Sequence, residues 1–365
     1  MKNIITVSLL SILLFAIPAQ SAVQYIATDL GALPGTYLSK GVGINNNGQV
    51  GGYCLEDYSN HGSAFLWQSG VGMQDIGTLG GQIAYGDDIN NAGQIAGSST
   101  RSDGLLHAFL WQSGSGMQDL GTLPGSSTSS AAAINDNGLI VGRSSNSNNI
   151  QRSFLWQSGS GMRDLGTLGG TMSLVGDINN AGQVVGGSET VVGNEHAFLW
   201  QDGVGMRDLG TLGGSWSRAS AVNENGLVVG VAFNSSGKDH AFLWQDGVGM
   251  RDLGTLGGSY SQATGIDKNG LVIGYSATTN PNLTQGFLWR SGSGMVDLST
   301  LISPSSGWTE LVPLDINDNG QIVGEGRNSA GQYHAFLLTP VPEPSTLAIL
   351  FTAALGGLFW WRRWR

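Results

Sequence analysis

Between about residue 24 and residue 340, short apolar runs alternate with glycine-rich polar turns, and the runs recur in a fixed order. The triplet Phe-Leu-Trp ends at Trp67, Trp111, Trp156, Trp200, Trp244 and Trp289. A seventh variant ends at Leu338, and the spacings are 44, 45, 44, 44, 45 and 49 residues. Asp-Leu-Gly or a close variant begins at Asp29, Asp75, Asp119, Asp164, Asp208, Asp252 and Asp297. Ile-Asn-x-x-Gly or a close variant begins at Ile44, Ile89, Ile134, Ile178, Val222, Ile266 and Ile316. A repeat of this length marks a supersecondary unit that buries its apolar face against copies of itself.

Each unit divides into four strands. The first ends in the Ile-Asn marker and is followed by a turn such as Asn47-Gly48 or Asn137-Gly138, a strong hairpin signal. The second is a β-branched run such as Gln183-Val184-Val185-Gly186, and a loop of variable length leads to the third, His-Ala-Phe-Leu-Trp. A turn of constant length then leads to the fourth, Met-Arg-Asp-Leu-Gly-Thr-Leu. Four strands in about 44 residues match one propeller blade, which predicts an all-β, seven-bladed β-propeller of four-stranded blades. Residues from about Gln24 to Leu33 hold only a fourth strand, and the chain finishes with strands one to three from about Leu314 to Leu338. Together they predict a composite blade that closes the ring and leaves no long edge open. Hairpins inside every unit argue against the rival β-helix.

Composition fits short strands and many tight turns, with 59 glycines and only 12% charged residues. The net charge of −10, with no basic stripe, excludes a phosphate backbone as an expected partner. Cys54 is the sole cysteine, so no internal disulfide can form; it reads as a small apolar filler at a strand end.

Residues 1–22 read as a secretory signal peptide: Lys2, an apolar run from Ile4 to Ile17, Pro18 and small residues, with cleavage expected after Ser21 or Ala22. The repeat array occupies 23–340. Residues 341–365 contain Pro342-Glu343-Pro344, an apolar segment from Leu347 to Trp361, and the basic residues Arg362, Arg363 and Arg365. The segment is short for a membrane span, with tryptophans suited to the interface and arginines that would hold that end on the cytoplasmic side. This ordered tail resembles the PEP-CTERM sorting signal of Gram-negative bacteria. The resemblance implies transient inner-membrane anchoring, an exosortase-type processing enzyme as partner, and delivery to the cell surface or extracellular matrix of an exopolysaccharide-making organism. The units themselves resemble the HAF repeat family, at His107-Ala108-Phe109, His196-Ala197-Phe198, His240-Ala241-Phe242 and His334-Ala335-Phe336, whereas Ser63, Ser153 and Gly286 replace the histidine in three units. That resemblance implies an extracellular bacterial protein and carries over no catalytic residues.

Candidate chemistry mostly repeats with the scaffold. Four histidines share one repeat position and are spread over the array, so they make neither a ligand set nor a catalytic group. The repeated aspartate of Asp-Leu-Gly reads as an acceptor of backbone hydrogen bonds. Asp315-x-Asn317-x-Asn319-Gly320 opens like a calcium loop, but Gly326 stands where the twelfth-position glutamate is required. Glu195, Glu224, Glu310 and Glu325 stand in no recognisable catalytic setting. No catalytic residue, metal ligand or cofactor is expected. The residues that break the repeat are Tyr37, Tyr85, Met172, Trp216, Tyr260 and Trp308, in the loops between strand four and the next strand one. The loops between strands two and three are the other variable element, and in a propeller both share one face. Two readings of this face stay open: an aromatic platform for extracellular polysaccharide, or aromatic plugs at the blade junctions. A carbohydrate-active enzyme and a purely structural spacer are the alternatives to a binding protein.

Overall fold

The computed structural model describes residues 25–56 and 61–341; the segment expected to be a signal peptide and nearly all of the expected sorting tail lie outside them. Among the described residues there are five four-stranded antiparallel sheets and one eight-stranded sheet. The sheet of residues 213–252 is representative, with strands Gly213–Val222, Val228–Asn234, Asp239–Gln245 and Gly249–Asp252 paired in chain order. The eight-stranded sheet joins the first complete unit to the last one through a single bridge, Leu38 to Tyr333. In it the N-terminal strand Tyr25–Asp29 pairs antiparallel with Tyr333–Pro340, from Tyr25 against Pro340 to Asp29 against Phe336.

The fourth strands are shorter than the sequence pattern predicts. They stop at the aspartate, as in Gly161–Asp164, because its carboxylate takes over the next bond. Asp164 Oδ1 accepts the N–H of Gly166 at 2.8 Å, and Gly166 adopts a positive φ of 84°, which turns the chain away from the sheet.

Packing between sheets explains the Phe-Leu-Trp marker. Phe65, Phe109, Phe154, Phe198, Phe242, Phe287 and Phe336 are all fully buried. One core cluster combines Val185, Ala197 and Leu209 with Ala219, Val222, Val228, Phe242 and Trp244 of the next sheet. Another combines Leu30, Ile44, Val50 and Phe65 with Val323, Ala335 and Leu337, so the first and last repeats share one core. Burying each phenylalanine contributes roughly 1.5–3 kcal/mol. The glycine of the second strand makes room: a Cβ at Gly186 would lie 2.0 Å from the Leu174 carbonyl oxygen and 2.9 Å from the Phe198 ring.

The Ile-Asn marker has a double role. Asn45 Oδ1 accepts the N–H groups of Asn47 and Gln49, closing its own turn. Its Nδ2 donates to the Asn90 carbonyl at 2.9 Å in the next sheet. The same step runs from Asn90 to Asn135, Asn135 to Asn179, Asn179 to Asn223 and Asn223 to Asp267. Asn317 donates to the Asn45 carbonyl at 2.9 Å, which joins the last marker to the first. Asp267 has no side-chain amide to donate, so the run of asparagine links stops there.

Candidate functional site

Two recesses bring polar side chains together. The first is a small polar mouth of about 210 Å³, lined by the marker residues of all seven repeats. Three of those repeats place an aspartate before the marker. Asp88 accepts from the N–H groups of Ile89 and Ile134, Asp177 from Ile178 and Val222, and Asp315 from Ile316 and Ile44. Each carboxylate thus serves its own sheet and a neighbour whose preceding residue is Ala133, Ala221 or Gly43. Gly43 is also confined on its other side, where a Cβ would lie 2.9 Å from Asp88 Cα. Burial, joined by repulsion from Asp315 and Asp177, pushes Asp88 well above the usual carboxylate range. Burial likewise pushes Asp177 and Asp315 up to about 6. The oxygens of Asp315 and Asn317 that mimic a calcium loop are therefore spent on backbone donors. Among the described residues no group of three or more His, Cys, Asp or Glu side chains is arranged to hold a metal ion.

The second recess is a cavity of about 770 Å³ where the sheets of residues 128–164, 169–208 and 213–252 meet. Its size suits a small-molecule or sugar-ring ligand. Ser217 fixes the local geometry. This fully buried hydroxyl donates to the Gly210 carbonyl at 2.6 Å and accepts the Ala197 N–H at 2.8 Å. Alternation along the strand then directs Trp216 and Arg218 to the other face. Arg218 grips Glu195 with two bonds, Nε at 2.5 Å and Nη2 at 2.7 Å, and its guanidinium lies 5.7 Å over the Trp216 ring. Glu195 fits because Gly187 has no side chain; a Cβ there would lie 2.0 Å from Glu195 Oε1. On the second strand Phe233 packs 5.5 Å from Trp216. Met172 lines the facing wall, where Glu189 Oε2 accepts from the N–H and hydroxyl of Thr171 and from the Met172 N–H. Those donors lower the Glu189 carboxyl below its ordinary range. Asp239, opposite Phe233 in register, completes the lining.

The six repeat-breaking residues do not form one group. Met172 and Trp216 meet at this cavity. Tyr260, at the same strand position one sheet on, is partly exposed and hydrogen-bonds through its hydroxyl to Thr284. Tyr37 is exposed beside a different sheet. Tyr85 sits two positions later than Trp216 in the register and packs edge-on against Tyr53 at 4.9 Å. Trp308 is only 8% exposed, 5.9 Å from Phe336, and fills the space over Gly326. Its contacts are within its own sheet, and its ring is closed off from solvent. The four glutamates singled out from the sequence all have partners: Glu195 has Arg218, Glu224 the Asn180 N–H, Glu310 the Tyr333 hydroxyl, and Glu325 has Lys40 at 2.7 Å.

Sequence reasoning missed Phe233, Glu189, Arg218 and Asp239. Phe233 and Arg218 had a legible signal, since each departs from its counterparts in the aligned units. The acids stand at the ends of second and third strands, beside loops of variable length that conceal their equivalence.

Comparison with known proteins places the chain's tail and its fold. Residues 340–363 match the PEP-CTERM protein-sorting motif. The motif is the recognition signal of exosortase and implies export and sorting to the cell envelope or surface. Pro342, Glu343, Pro344, Arg362 and Arg363 lie inside the match, and Arg365 just beyond it. The apolar segment expected to anchor the tail falls outside the described residues. Among those described, no helix is long and apolar enough to cross a membrane. No curated protein matches the chain. The β-propeller domain of the Trilobed protease from Pyrococcus furiosus is similar at 11% identity and a TM-score of 0.51, over 70% of this chain and 82% of that one. The acylaminoacyl peptidase of Pyrococcus horikoshii is also 11% identical, with a TM-score of 0.52 over 87% of this chain and 54% of that one. TolB from Acinetobacter baumannii is 12% identical, with a TM-score of 0.47 over 80% of this chain; the chain spans 63% of its length. At these identities the likeness concerns the fold alone, a β-propeller.

Proposed function

We propose that the chain is a non-catalytic surface or matrix protein that holds extracellular polysaccharide in the cavity beside Trp216. Its sheets are read as seven blades of HAF-type repeats in a closed ring. The antiparallel pairing of Tyr25–Asp29 with Tyr333–Pro340 and the Asn317–Asn45 bond support that closure. The observation that carries the binding reading is the cavity itself, where Trp216, Phe233 and Met172 stand among Asn149, Gln151, Asn194 and three acids. Sugar recognition combines an apolar ring face with hydroxyl hydrogen bonds, and this lining supplies both. Trp216 is held in advance by Ser217 and Arg218, which lowers the ordering cost of binding.

The sorting motif supports the setting, because a protein handed to the cell surface meets polysaccharide there. Glu195 is held by Arg218 and Glu189 by donors from Thr171 and Met172, so two of the cavity's three acids are engaged, which favours binding over glycoside hydrolysis by a carboxyl pair flanking the scissile bond. A glycan array probed with the full chain tests the proposal. Retention of one glycan class, lost in Trp216→Ala, is the expected result; retention unchanged by that substitution would move the site elsewhere.

A further inference from the structure

The acids around the cavity are unequally compensated. Glu195 is neutralised by the two-bond clasp of Arg218. Glu189 faces only neutral donors from Thr171 and Met172, so its charge is not cancelled. Asp239 has a neighbour on each side that could have cancelled it. His240 acts on Asp239 only through space, since its Nδ1 is directed to Asp252, 2.8–2.9 Å away, and no ion pair joins Asp239 to Lys238 or His240 among the described residues. Asp239 Oδ1 is buried and lacks any hydrogen-bond partner. An acceptor left in that state costs roughly 1–3 kcal/mol, more if it is charged. The terminal torsion of an aspartate is soft, so a modest rotation presents this oxygen to an occupant of the cavity.

We infer that the sugar residue seated beside Trp216 carries a protonated amine, as in a de-N-acetylated amino sugar, which donates to Asp239 and is drawn by Glu189. This rests on the polysaccharide reading above and narrows its ligand. A uronate or sulfated polymer would bring like charge to two uncompensated carboxylates and is disfavoured. A neutral sugar can donate hydroxyl bonds to Asp239 but gains nothing from the charge. An ammonium group answers both features, and the flat apolar face of the pyranose ring distinguishes an amino sugar from a flexible lysine chain.

The test is calorimetric titration of the full chain near pH 6 with four probes: a glucosamine pentamer, the N-acetylglucosamine pentamer, an oligogalacturonate and a pentalysine peptide. The glucosamine pentamer is expected to bind at least about tenfold more tightly than the N-acetylated one, about 1.4 kcal/mol. The oligogalacturonate and the peptide should bind no better than the N-acetylated probe. Asp239→Asn should erase most of the preference for the amine-bearing pentamer over the N-acetylated one, and Trp216→Ala should weaken both sugars. Equal affinity for the two sugar pentamers, with both lost in Trp216→Ala, would overturn the amine inference and leave the polysaccharide reading standing. Tighter binding of pentalysine would overturn it in favour of a basic peptide. Binding of none of the sugars would overturn both.

Discussion

The Nδ1 of His334 lies 2.8 Å from Asp29 Oδ1, although 305 residues separate them in the chain. The same pairing occurs locally between His107 and Asp119, His196 and Asp208, and His240 and Asp252, each at 2.8 Å. The two most conspicuous markers of the repeat are thus partners of each other, and in one unit the pair joins the two ends of the propeller. Burial opposes ionisation of Asp29, but donors from Gly31, Asn328 and His334 outweigh it and lower its pKa. A lowered folded-state pKa contributes stability above the unfolded value, and this is lost as pH falls through the folded value. Asp29→Asn should therefore lower stability by about 1 kcal/mol at neutral pH, with the deficit shrinking on acidification below about pH 4. Denaturant unfolding at several pH values measures this; a deficit that is constant with pH would contradict it.

The aspartates in the polar mouth should behave in the opposite sense. Burial raises Asp177 and Asp315 to about 6. A raised folded-state pKa gives stability that is fully present below the unfolded value near 3.8 and is lost as pH rises through the folded one. The stability advantage of the natural chain over Asp177→Asn should therefore shrink between about pH 4 and pH 7. Chemical unfolding of both proteins across that interval provides the check. An advantage that grows with pH would show that the N–H donors of Ile178 and Val222 dominate instead.

Cys54 should be inert. It stands opposite Ser39 in the register, where other sheets place Ser99, Ser144, Ser188 or Ser276. Its Sγ accepts the Leu33 N–H at 3.4 Å, as Ser144 Oγ accepts from Leu123 at 3.1 Å. Burial pushes the thiol up to about 11. A thiol reagent at pH 8 should react only once the chain is unfolded, and Cys54→Ser should change stability by less than about 1 kcal/mol. Rapid labelling of the native protein would contradict this burial.

The second-strand glycines are expected to be intolerant. Gly186→Ala introduces a Cβ within 2.0 Å of the Leu174 carbonyl, so the strand pair must separate or the Phe198 ring must shift. Destabilisation of roughly 3 kcal/mol or more is the expected outcome in thermal or denaturant unfolding.

The strands and their order were legible because period-two alternation and asparagine-glycine turns are local signals. Much of the chemistry depended on register. Asp119 pairs with Phe109, two residues from His107, because a turn of constant length fixes the third and fourth strands, and that constancy was visible without structure. The aromatic residues could not be sorted by the loop that carries them. Tyr85 aligns with Arg218, two positions beyond Trp216, so it keeps the same face but lies further along the strand, where it meets Tyr53. Trp308 sits among the buried residues because Gly326 on the neighbouring strand leaves room for its ring. The cavity also draws Glu189, Asn194 and Asp239 from second and third strands and their loop, where variable length conceals equivalence.

The most direct test of the binding account is the affinity of one retained glycan for the full chain and for Trp216→Ala, with Tyr37→Ala as a control of exposed aromatic character away from the cavity. Far-ultraviolet circular dichroism and thermal unfolding of all three proteins establish that each is folded. The account expects Trp216→Ala to lose about thirtyfold in affinity, or about 2 kcal/mol, while Tyr37→Ala stays within about twofold of the natural chain. Equal affinity for the natural chain and a folded Trp216→Ala variant would contradict it.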